Sequence, residues 1–177
     1  MKHILIIILL AIVSCRDKQS HTASSTIIAD TTATTDSTIV KFSARYHFND
    51  FTTGMYKGKL AKPDFTNNEF AADKEYVNFI TEGCKKEGIN FGGKYTILQK
   101  SCGAMCEHVF IIDRITGKIF TGIQPNDGRY GYLYHSNSRL LVANSGSFTN
   151  DSLTEYSNHF EKPEWYEWKE NNFQRLQ

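Results

Sequence analysis

All 12 Phe, 9 Tyr and 2 Trp residues of this chain lie beyond Val40. Burial of large apolar side chains drives folding, so this break confines a hydrophobic core to residues 40–177. That length suits one domain with a single core, and no internal repeat or second linker interrupts it. The preceding stretch, Arg16 to Ile39, is mostly Ser, Thr and Ala with scattered aliphatics. It has too little apolar surface to offset the entropy of ordering it, and reads as a flexible tether over residues 15–39.

The first residues, MKHILIIILLAIVSC, have a basic start at Lys2, an apolar run from Ile4 to Val13 and a small residue, Ser14. This is the layout of a secretory signal. The apolar run is about half of the ~20 residues a membrane-spanning helix needs. Ile12-Val13-Ser14-Cys15 resembles the bacterial lipobox. The resemblance implies removal of residues 1–14, a diacylglycerol on the Cys15 sulfur and acylation, typically with palmitate, of the new amine. Two or more acyl chains anchor a protein stably where one does not. The expected location is the cell envelope, with the outer membrane favoured and the domain facing periplasm or cell surface. Asp30-Thr31-Thr32 and Asp36-Ser37-Thr38 resemble a short bacterial O-glycosylation acceptor motif.

Cleavage before Cys15 removes only Lys2 from the 20 basic residues, leaving them balanced against 19 acidic ones. A neutral chain argues against nucleic acid as a partner and against a polybasic membrane-surface module.

Within the domain, Val40, Phe42, Ala44 and Tyr46 alternate with polar residues, predicting a first strand. Gly54, Gly58 and Pro63 punctuate a loop. A helix is expected from about Ala71 to Glu87, with Tyr76, Phe79, Ile80 and Cys84 on one stripe and Gly88 as a left-handed cap. Short β-rich runs follow at Tyr95–Gln99, His108–Asp113, Lys118–Thr121, Arg139–Ala143, Trp165–Lys169 and Phe173–Leu176. Arg114–Gly117 and Glu170-Asn171-Asn172 read as hairpin turns. The fold class is α+β: one principal helix packed on an antiparallel β-meander, with a partly closed barrel as the alternative.

Asn90-Phe91-Gly92-Gly93-Lys94-Tyr95, Ser101-Cys102-Gly103-Ala104-Met105-Cys106, Asp113 with Thr116-Gly117-Lys118, and Ser138-Arg139-Leu140-Leu141 occur in that order. The set resembles a group of small exported bacterial proteins with an N-F-x-G-x-Y, G-C-G-x-x-C, D-x-x-T-G-K, S-R-L-L signature and no assigned activity. The likeness covers roughly Tyr56 to Leu176. It departs at Ser101, where glycine is usual, and at Lys94, where histidine is usual. It implies fold and export, and no mechanism.

Cys102 and Cys106 are read as a disulfide that fixes a turn in an oxidising compartment. Redox catalysis commonly uses C-x-x-C at a helix start, whereas this spacing is C-x-x-x-C between strands. A zinc reading joins both cysteines to His108 and needs a fourth ligand, which His135 or His159 supplies only through folding. No metal or other cofactor is assigned. Cys84, on the apolar helix stripe, reads as an inert core thiol. Asp113 organises the following turn or pairs with Arg139; the functional alternative is a ligand clamp. Trp165 and Trp168 should face opposite sides of a strand, one side core and the other a possible exposed aromatic patch.

No nucleophile–base set, phosphate loop or metal signature stands out. The reading leans to a non-enzymatic, membrane-anchored domain that binds a protein or cell-wall partner, inhibitor-like or immunity-like roles included. Candidate binding residues are Asn90, Tyr95, His108, Asp113, Arg139 and Trp165. The alternative is an envelope hydrolase whose cleft gathers the first five of these.

Overall fold

The computed structural model describes residues 38–104, 106–123, 128–150 and 152–177, which belong to one unit, Asp36–Gln177. Cys15, the signal segment and the acceptor motifs lie outside the described residues. The chain enters through β1 (Ile39–Lys41), one residue before the expected start of the domain.

The main helix, α1 (Lys74–Glu87), starts later than the apolar pattern suggests, because Glu69–Ala72 forms a separate 3-10 turn. Asp73 caps α1 by accepting from the amides of Glu75 and Tyr76, which fixes the starting residue. Gly88 ends it at φ 61°, positive as expected; its ψ of −141° lies outside the left-handed helical basin.

Among the described residues nine strands form three antiparallel sheets. β2 (Tyr95–Gly103), β3 (Cys106–Asp113) and β4 (Ile119–Thr121) make one, in that order. β5 (Tyr132–Tyr134), β6 (Leu140–Ala143), β8 (Glu164–Lys169) and β9 (Asn172–Arg175) make a second. β7 (Glu155–Ser157) leaves that succession and pairs with β1. The class is α+β as expected, but the strands do not run as one meander. Among the described residues no sheet closes into a barrel.

The reason lies in β2 and β3, which are apolar on both faces. Leu98, Phe110, Ile112 and Ile119 join Ile80 and Cys84 of α1 in one cluster. Ile97, Val109 and Ile111 face the other way, joining Leu141, Ala143, Tyr166 and Trp168 of the second sheet. A single meander would leave this second face in water, and two sheets packed face to face cover it. The far face of the second sheet carries Leu140, Val142 and Trp165. Phe42, Ala44, Tyr46, Phe48 and Phe51 cover it. The alternation that predicts a long first strand therefore marks side chains that pack inward, while only Ile39–Lys41 pairs as strand.

Hairpin geometry follows local chemistry. Asp113 accepts from the amides of Ile115 and Thr116, holding the turn before β4. Glu170 and Asn171 both take positive φ (54° and 62°) between the paired Lys169 and Asn172, as a two-residue hairpin of matching twist requires.

Candidate functional site

The Asn90–Tyr95 segment is built before it is functional. The Asn90 side chain donates to the Ile97 carbonyl (3.0 Å) and accepts from the Ile97 amide (2.7 Å), standing in for a strand partner. Phe91 and Tyr95 bridge each other, so Gly92 and Gly93 must turn within them at positive φ. The Gly93 carbonyl accepts from Tyr56 and its amide donates to Ser136. A Cβ on Gly93 would collide with the Gly54 carbonyl, so glycine is required where these backbones meet.

This junction opens into a cleft of about 550 Å³. The Thr53–Tyr56 segment, Ile115 of the β3–β4 turn, Arg139 and the β8–β9 turn surround it. Tyr95 and Trp168 line it as buried rings set edge to face, centroids 5.6 Å apart. Among the described residues the Trp168 indole N–H has no hydrogen-bond partner. At the rim Met55 (41 % exposed) and Ile115 (44 % exposed) present apolar side chains to solvent.

Three cationic side chains, Lys94, Arg139 and Lys169, line the same space. Lys94 contacts Asp113 at 2.7 Å and its ammonium lies 4.9 Å from the centre of the Tyr95 ring. Partial burial pulls the Lys94 pKa down, but Asp113 and Tyr95 outweigh it and hold the group above its ordinary value. Burial likewise pushes the Asp113 carboxyl up, and Lys94 with the two turn amides brings it below the usual range. Arg139 pairs with Glu167 at 2.9 Å. The expected Asp113–Arg139 pair is therefore corrected: each takes a different partner because Lys94 precedes Tyr95, the residue registered opposite Asp113, while Glu167 lies opposite Leu140 beside Arg139. Lys94 and Arg139 each have more N–H donors than the one carboxylate contact each makes among the described residues uses.

The sequence candidates are thus split. Tyr95 and Arg139 share the cleft, and Asp113 reaches it through Lys94. Asn90 is engaged with Ile97. His108 packs against Phe70, Tyr76 and Phe110, with its Nδ1 2.8 Å from the Tyr76 hydroxyl. Trp165 is 8 % exposed and stacks on Phe42 at 4.8 Å, and Trp168 is 2 % exposed. Their opposite orientation is as expected, but sheet and N-terminal segment cover both faces, so no aromatic patch arises from them.

Cys102 and Cys106 are joined by a disulfide with Cα atoms 5.1 Å apart, inside the usual range. Cys84 is free and buried. Lys94 counted in the sequence only as a departure from a pattern, and Met55, Ile115, Trp168 and Glu167 carried no signal for the cleft. Strand alternation marks Trp168 as half of a buried face but says nothing of what opens above it.

No family model, curated protein or solved structure matches this chain. Among the described residues no helix is long and apolar enough to cross a membrane.

Proposed function

We propose that this chain is an exported lipoprotein, anchored through lipid on Cys15, whose domain binds an envelope partner without chemical turnover. The observation that carries the reading is the cleft: spare N–H donors of Lys94 and Arg139 beside exposed Met55 and Ile115. Such a surface suits an extended, acceptor-rich segment with an apolar side chain, in a protein or a cell-wall peptide. The residues suggested for hydrolysis favour this reading over catalysis, because the Asn90 side chain is taken up by the Ile97 backbone and His108 by Tyr76, and neither lines the cleft with Tyr95 and Arg139. The anchor rests on Ile12-Val13-Ser14-Cys15, and the tether would hold the domain clear of the lipid.

Replacing Met55 and Ile115 together by Glu should abolish photo-crosslinking of the domain to its partner in envelope extracts, with circular dichroism unchanged. Undiminished crosslinking would remove the cleft from the proposal. The anchor is tested separately. Cys15→Ser should end palmitate labelling and release the protein from membranes, and labelling that persists would refute lipidation at Cys15.

A further inference from the structure

Apart from the cleft, the end of the β2–β3 hairpin gathers an unusual set of groups. The two sulfur atoms of Cys102 and Cys106 and a ring nitrogen of His108 lie within 4.8 Å of one another. Cys106 and His108 are two residues apart on β3 and so share a face. Cys102 reaches them from β2, where the register shifts between Ser101 and Gly103.

We propose that opening this disulfide creates a binding site for one zinc(II) ion, held by Cys102, Cys106 and His108 with water in the fourth position. Thiolate and imidazole are the donors this borderline-soft ion prefers. A tetrahedral ion at ordinary bond lengths needs donor atoms roughly 3.5–4 Å apart. With all three donors already within 4.8 Å of one another, reaching that separation asks only that the two sulfurs part once they are no longer bonded. The ladder from Tyr95↔Asp113 to Ser101↔Glu107 holds both strands in register independently of the bridge. His108 is oriented from α1 by the Tyr76 hydroxyl at 2.8 Å, the type of outer contact that fixes a ligating imidazole. Cys102 is exposed and Cys106 half-buried, leaving the bridge open to attack.

The chemistry balances with an external dithiol, of protein or small-molecule origin. One thiolate attacks a bridge sulfur, its neighbour resolves the mixed disulfide, and the dithiol leaves oxidised. Two electrons and two protons pass to Cys102 and Cys106. Zinc then displaces both thiol protons. The oxidised hairpin offers only His108, so the state of the bridge switches the site on or off.

The test uses the full chain carrying Cys15→Ser, reduced by a phosphine without oxygen and titrated with cobalt(II). The reduced chain should develop a thiolate-to-cobalt charge-transfer band that saturates at one equivalent and is bleached by zinc(II). The oxidised chain should show none, a contrast that needs no site variant. His108→Gln should weaken cobalt binding by at least about tenfold. A reduced chain without the band overturns the proposal. So does an equal band in the oxidised chain, or a band that survives in Cys102→Ser/Cys106→Ser, where Cys84 remains.

Discussion

Arg114 is 5 % exposed, yet no carboxylate lies within ion-pair distance among the described residues. Its guanidinium donates to the carbonyls of Cys84 (2.7 Å) and Ala61 (3.3 Å) and to the Thr96 hydroxyl (3.0 Å). The negative end of the α1 dipole thus serves as its counter-charge, and one side chain ties helix, sheet and loop together. Arg114→Leu strands these acceptors in the core and should lower stability by about 3 kcal/mol in urea unfolding; a loss below about 1 kcal/mol would mean that water replaces the guanidinium. Asp113 makes a different, pH-dependent contribution. Its folded pKa lies below the ordinary 3.8, so its stabilisation is complete at higher pH and fades as pH falls through the folded value. Asp113→Asn should be less stable at neutral pH and should flatten the stability curve below about pH 4. Parallel acid curves for variant and parent would show that Lys94 does not hold the carboxyl down.

At the level of elements, the β2–β3 hairpin and its disulfide are separable. The bridge spans four residues of sequence and closes a small loop, so the chain-entropy model assigns it only about 2 kcal/mol. Cys102→Ser/Cys106→Ser should therefore fold, about 2 kcal/mol weaker, with Cys84 alkylated only after denaturation. Rapid alkylation of Cys84 in native buffer would show that the bridge governs α1 packing. Burial pushes the Cys84 thiol pKa up, which Arg114 and Thr96 offset only in part, so that thiol should stay inert while α1 is docked. The elements also show what local patterning can specify. Tyr76, Phe79, Ile80 and Cys84 were legible as the packing stripe of α1, and all four join its cluster. The β7 strand was not, because Glu155-Tyr156-Ser157 is short and, among the described residues, pairs as a strand with β1, far away in sequence.

At the scale of the whole molecule, the expected tether should be the part most open to proteases. Limited proteolysis should trim residues up to about 38 first and leave the remainder protected, since β1 is the first described element tied into a sheet. An early cut between β4 and β8 would instead place the least stable region inside the domain. Composition and periodicity alone located the aromatic-rich segment, the packing stripe of α1, the runs that form β2, β3, β4, β6, β8 and β9, and the turns at Arg114–Gly117 and Glu170–Asn171. These are local consequences of backbone geometry and side-chain period. The sequence also marked Tyr95 and Arg139, two of the residues that line the cleft. Which sheet covers which face was decided only in three dimensions, because apolar attraction is non-directional and any apolar face satisfies another. The cleft belongs to that second kind of information. Thr53–Tyr56, Ile115 and the β8–β9 turn are remote in sequence and meet only because Gly93 admits the Gly54 backbone, and because β2 and β3 are apolar on both sides.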